Sequence, residues 1–230
     1  MSNSSFEPLL VRAKLNNGLA RFDPWSPALD SLLVYLILSE YDKLSPNPTI
    51  EDWERNKDFL IDKMPLERGF MGDDWYWKSS SPITQEKGQY TDRYRKRWDY
   101  QEYALNWGKR KAKWETSQNA EKSYDLPLYC INATTLSWYV VGEKQELERL
   151  LSQCLYLGKK RSYGNGQVNA WEVIPTEKDY HLFKDGKLMR PMPYSLIAPL
   201  LDLKVKYDLL HWAWKPPVFL PQNQALCAVP

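Results

Sequence analysis

Histidine is scarce in this chain, with two among 230 residues, His181 and His211. Cysteine is nearly as scarce. Cys130, Cys154 and Cys227 are odd in number, far apart and never at Cys-x-x-Cys spacing. Together these exclude a zinc knuckle or a credible Cys/His metal centre, and they do not form the even, closely spaced framework of a disulfide-stapled secreted domain. Long apolar runs are missing too. The longest, residues 32–38, has seven residues, far short of the roughly 18 that a membrane span requires. The first seven residues carry neither the basic start nor the apolar stretch of a secretory signal. The expectations are a cytoplasmic protein with no membrane contact, no metal and no cofactor.

Net charge is also small, 31 basic against 29 acidic residues, or +2. Its distribution is uneven. Residues 1–90 hold 10 basic and 14 acidic side chains, residues 91–113 hold 8 and 3, and residues 114–230 hold 13 and 12. In the central block the cations Arg93, Arg95, Lys96, Arg97, Lys109, Arg110 and Lys111 alternate with rings, among them Trp98 and Trp107. Cations neutralise phosphates and rings stack on unpaired bases. A solvated face over aromatic anchors is the plainer reading of a charge run alone. The chain has eleven tryptophans, however, and Trp75, Trp77, Trp98, Trp107 and Trp114 crowd into one polar stretch. Some of them are expected to face a partner.

The remainder is globular: 43% hydrophobic and 26% charged residues, at a length suited to one elaborated domain. Residues 9–15 alternate and meet Asn16, Asn17 and Gly18, predicting a strand stopped by turn chemistry. Residues 28–41 are apolar nearly all round, predicting a buried helix that ends before Pro46 and Pro48. A short acidic helix is expected over 51–63. The basic block suits either a helix over 92–107 or a long hairpin. Further on, residues 136–141 read as a strand closed by Gly142. Residues 143–153 read as a helix with Leu147, Leu150 and Leu151 on one face, and residues 168–174 as a strand. The implied fold class is α+β, a ferredoxin-like or RRM-like arrangement of two βαβ halves in a single domain, 1–230. Its insertion, 42–125, contains the basic block 91–113, and 175–230 forms a proline-rich C-terminal extension expected to run extended over the core.

Between the second helix and the last strand lies a loop of Gly158, Lys159, Lys160, Arg161, Ser162, Tyr163, Gly164, Asn165 and Gly166. Its glycines permit positive φ and close approach, and three consecutive cations supply charge, so it is a phosphate-clasp candidate. No Gly-Lys-Ser/Thr closes it as a Walker A loop would, and Asn169 stands where a dinucleotide fingerprint needs its third glycine.

A basic, glycine-rich loop after the second helix of a ferredoxin-like domain resembles that of the RAMP superfamily of CRISPR-associated proteins. The helix start at Ala28, Leu29 and Asp30, running to Tyr35, is similar to that of the type IV subgroup. The stretch from Trp214, Lys215, Pro216 and Pro217 to Pro230 resembles the subgroup's proline-rich ending. The resemblance implies a small Cas-five-group subunit of a type IV effector complex, non-catalytic, which caps the 5′ handle of CRISPR RNA. It also implies that the loop Gly158 to Gly166 faces the handle and that the block Arg93 to Lys113 is a thumb, or its base, acting where guide pairs with target. The implied partners are CRISPR RNA, target DNA through the guide, and the backbone and large subunits.

Two rival readings remain. Other members of the superfamily cut CRISPR RNA without metal, using a histidine near the loop, and here only His181 or His211 could serve. Alternatively, the tryptophans and arginines form a protein-only scaffold interface.

Overall fold

The computed structural model describes residues 5–20, 23–96, 123–159, 161, 164–202 and 204–230. Alternation decides the first strand, β1 (Glu7–Leu15): Leu9, Val11 and Ala13 point inward and are fully buried. Arg12 and Lys14 point outward, where both pair with Glu172. β1 ends at Leu15, where the turn residues Asn16, Asn17 and Gly18 stop it as expected. Asn16 to Gly18 form a bulge, and β2 (Leu19–Ala20) resumes along the same partner, β6 (Tyr124–Gly142). Lys14 pairs with Thr135 and Leu19 with Ile131, so one strand uses one residue more than the other over this span. Turn-forming side chains permit a bulge as readily as a reversal.

The main sheet runs β5 (Ile83–Lys96), β6, β1, β7 (Val168–Pro175), with every neighbouring pair antiparallel. This is the ferredoxin-like order, second, third, first and fourth of the core strands. The fold is α+β, as expected from the sequence. One face is covered by α1 (Leu29–Glu40) and α3 (Lys144–Leu151). Leu147, Leu150 and Leu151 of α3 stand at helical spacing and are completely buried. Trp138 lies among them, also fully buried, and its indole N–H donates to the Pro27 carbonyl at 3.0 Å.

Between α1 and β5 the chain adds α2 (Ile50–Lys63), β3 (Arg68–Met71) and β4 (Asp74–Trp77). α2 begins in a capping box: Asp52 N–H donates to Thr49 Oγ1 at 3.2 Å, and Thr49 N–H donates to Asp52 Oδ2 at 3.0 Å. Trp75 and Trp77, two apart on β4, share its core face. Trp77 is buried, and the two rings meet edge to face at 5.0 Å. Trp77 therefore belongs to the core, and Trp75 is half-buried against it. Trp98, Trp107 and Trp114 lie outside the described residues.

Residues 175–230 build more than an extended run. β8 (Phe183–Lys184) and β9 (Lys187–Leu188) form a tight hairpin. A second sheet orders β10 (Met192–Pro193), β12 (Gln224–Val229) and β11 (Asp208–Ala213), with α4 (Tyr194–Ile197) packed beside it. Met192, Ile197, Trp214, Cys227 and Ala228 make a separate apolar cluster there, joined by Tyr76 of β4.

One buried arginine ties this second cluster to the first. Arg190 donates to the carbonyls of Trp77 and Ser79, each at 2.7 Å, to the carbonyl of Trp214, and to Asp30 of α1 at 3.3 Å. Its guanidinium also lies 5.2 Å from the Tyr76 ring centroid. Side-chain exposures of 7% for Arg190 and 3% for Asp30 leave neither charge an aqueous alternative. Removing one member of such a pair strands the other charge in the interior, a loss of about 3–5 kcal/mol. The exposed Lys14–Glu172 pair is worth less than about 1 kcal/mol.

Close by, His181 is buried between two partners, with Nδ1 2.6 Å from Asp179 Oδ1 and Nε2 3.1 Å from the Tyr76 hydroxyl. Burial holds its pKa below the ordinary 6.5, reinforced by the charges of Arg190 and Lys78, although the Asp179 carboxylate pulls the other way.

Two outcomes are expected. In urea titrations at pH 7, Asp30→Ala should lower the unfolding free energy by about 3–5 kcal/mol and Lys14→Ala by less than about 1; equal losses would show that the interior pair does not hold the two clusters together. For His181 the unfolded chain binds a proton that the native imidazole refuses. Stability should therefore fall as pH drops from about 6.5 towards the depressed native pKa, by at most about 1.36 kcal/mol per pH unit, and stay level with respect to this group above that window. His181→Gln should flatten the slope between pH 5 and 6.5, and a variant with the slope of the parent would exclude His181 as its source.

Candidate nucleic-acid interface

The glycine-rich loop takes its shape from the strand it crosses. Gly158 has φ +77, and a Cβ there would sit 2.6 Å from the Ala20 carbonyl oxygen of β2. At Gly166, φ +70, a Cβ would sit 2.0 Å from the Leu157 oxygen. Only glycine permits both the dihedral and the approach. Lys159 N–H donates to Ala20 O at 3.0 Å, Gly166 N–H to Gly18 O at 2.7 Å, and Gly164 N–H to Arg161 O at 2.9 Å. These backbone donors are engaged within the fold, which leaves the side chains of Lys159 and Arg161 as the loop's charged groups at its surface. Asn165 is buried. Lys160, Ser162 and Tyr163 lie outside the described residues.

Beside the loop opens a cleft of 870 Å³. Its walls come from three parts of the chain: Asp30, Ser31 and Tyr35 on α1, then Gly158, Lys159 and Arg161 of the loop, and the arm from His211 to Phe219. Tyr35 is 41% exposed and Arg161 stands over its ring at 5.5 Å. A cation held against an aromatic face at a cleft wall suits phosphate and base together. The first helix, the glycine-rich loop and the prolines at 216 and 217, far apart in sequence, thus border one hollow. Its apolar walls suit an unstacked ring more than a continuous duplex.

Arg93, Arg95 and Lys96 lie on β5 and not in the cleft. The hairpin of β5 and β6 settles the helix-or-hairpin alternative over residues 91–96. Its described end, residues 93–96 against 124–127, is largely exposed, whereas Leu128 and Cys130 nearer the sheet are buried with Ala20. Asp125 on β6 accepts from Arg93 Nε at 2.9 Å and lies 3.2 Å from Arg95 Nε. That ion-paired position leaves the strand edge charged, which discourages pairing with other chains. Arg97, Trp98, Trp107, Lys109, Arg110 and Lys111 fall outside the described residues. A smaller hollow of 470 Å³ is lined by Asp23, Tyr90 and Tyr129 among others, and Asp23 borders it and the main cleft alike.

The two histidines part company. His181 is buried against Asp179 and Tyr76, whereas His211 is exposed on β11 and borders the cleft. Its aromatic neighbours in sequence suggest packing, but Asp208 to His211 of the edge strand β11 are exposed in succession. The three cysteines are buried thiols, and burial pushes Cys227 up to about 11. Sequence reasoning missed Tyr35, Trp212 and Asn17 as site residues. An isolated tyrosine on an otherwise aliphatic helix was the available signal for the first, and the other two gave none.

A model of the family described as CRISPR type IV associated protein Csf3 matches residues 7–198. No curated protein matches the chain. The matched span runs from β1 through α1, the hairpin and the glycine-rich loop to α4, so it takes in the main sheet and two of the three cleft walls. The chain belongs to the Csf3 family of type IV CRISPR-associated proteins.

Proposed function

We propose that this chain is a non-catalytic CRISPR RNA-binding subunit of a multi-subunit type IV effector complex. In this reading it is a RAMP protein of the Cas-five group, holding the 5′ handle of the RNA in the cleft between α1, the glycine-rich loop and the proline-rich arm. The observation that carries the reading is the convergence of those three features around Tyr35, Lys159 and Arg161. Single-stranded RNA offers phosphates and unstacked rings, and the cleft rim offers cations and aromatic faces. The β5–β6 hairpin, with Arg93, Arg95 and Lys96 towards its end, serves as the thumb beside guide and target. Target DNA is met through the guide, and the backbone and large subunits complete the assembly.

A second reading keeps one specific support. His211 borders the same cleft as Lys159 and Arg161, the arrangement a metal-independent ribonuclease would use, with the imidazole moving the proton of a 2′-hydroxyl. No carboxylate or tyrosine hydroxyl within hydrogen-bond reach of His211 is found among the described residues, and the non-catalytic reading is the one adopted.

Lys159→Ala combined with Arg161→Ala should weaken binding of repeat-derived RNA and flatten its salt dependence by about 0.7 in slope for each lost single-strand phosphate contact. Both side chains are exposed, so the melting temperature should hardly move. Unchanged affinity across the salt series would take the loop out of the RNA site. Incubation of labelled repeat RNA with the protein in EDTA should leave it intact, and cleavage products that vanish in His211→Ala would establish the nuclease reading instead.

A further inference from the structure

We infer that Asn17 is the positioning residue of the glycine-rich loop, fixing where Lys159 and Arg161 stand at the cleft. The inference rests on the reading that the cleft takes RNA. The Asn17 carboxamide spans the loop's returning limb: Nδ2 donates to the Gly164 carbonyl, and Oδ1 accepts from Gln167 N–H at 3.0 Å. Its neighbours add main-chain links, with Asn16 N–H donating to Gln167 O at 3.0 Å and Gly18 O accepting from Gly166 N–H. A carboxamide alone offers a donor and an acceptor from one planar group, so Ala supplies neither and Asp supplies only the acceptor. Asn17 is exposed and absent from the apolar core. Its bonds therefore serve the loop's geometry and not the packing of the sheet.

The same bulge underlies the hairpin. A Cβ on Gly18 would lie 2.1 Å from the Tyr90 hydroxyl of β5. The loop on one side and the hairpin base on the other thus register on three consecutive residues, Asn16 to Gly18. A bulge in that place re-aims the chain where a plain strand would carry it straight on.

The test compares the parent protein, Asn17→Ala, Asn17→Asp, the Lys159→Ala/Arg161→Ala pair and the combined triple variant. Fluorescein-labelled repeat RNA from the host CRISPR array is the probe, titrated over a salt series. Asn17→Ala should weaken binding by about tenfold, lower the salt slope towards that of the loop pair, and shift melting by only about 2–4 °C. In the triple variant it should add almost nothing to the loop pair, because both changes remove the same contacts. Asn17→Asp, keeping the acceptor for Gln167 N–H, should fall between and remains informative should the alanine variant fail to fold. Unchanged affinity and slope in Asn17→Ala, or an additive triple, would overturn the proposal. Should the loop pair bind RNA like the parent, the cleft reading is what fails. Amide exchange at Gly166 and Gln167 then decides on Asn17, quickened in Asn17→Ala if it sets the loop and unaltered if it does not.

Discussion

The buried pair of Arg190 and Asp30 is the constraint from which the cleft follows. α1 belongs to the main sheet's core and the arm belongs to the second cluster, and the edge-to-face contact of Trp25 with Trp212 at 5.1 Å does not by itself oblige them to face one another at a fixed separation. A guanidinium that reaches the α1 carboxylate, two carbonyls around β4 and the Trp214 carbonyl does oblige it. Such a network gives little net stability over a well-packed apolar substitute, but any misregistration leaves a charge unpaired in a dry interior. Its effect is on geometry. The wall carrying Tyr35 and the wall carrying Trp212 to Phe219 are held apart at a width that leaves 870 Å³ open between them.

The third wall depends on a different device. The glycine-rich loop lies on β2 because Gly158 and Gly166 allow backbone to approach backbone, and it is registered by the bulge that separates β2 from β1. Core packing, a buried charge network and a strand irregularity therefore each supply one side of the same hollow. This is why the site joins segments more than 170 residues apart, from Tyr35 to Trp212, while no single segment contains it.

Much of the fold was legible in the sequence because periodicity reports burial directly. Leu9, Val11 and Ala13 alternate because every second residue of β1 meets the core, and Leu147, Leu150 and Leu151 recur at helical spacing because one stripe of α3 does. What stayed hidden depends on partners distant in the chain. Asn16-Asn17-Gly18 signals a turn locally, and only the continued pairing of β2 with β6 makes it a bulge. Trp77 sits in polar sequence, so its burial could be read only once β4 was placed against the core. The glycine-rich loop was legible as a candidate site from composition alone. Trp212, which faces the same cleft, carries no local signal of it, and Tyr35 only that of a lone ring on an aliphatic helix, since a ring's accessibility is decided by what packs beside it.

Photo-cross-linking of the RNA bound to the protein purified from cells tests whether RNA lies in the cleft bordered by α1, the loop and the arm, as we propose. Adducts mapped by mass spectrometry should fall on peptides containing Tyr35 and Trp212, with the cross-linked nucleotides in the 5′ handle of a CRISPR RNA. Adducts confined to other surfaces, or a protein that carries no CRISPR RNA at all, would contradict it.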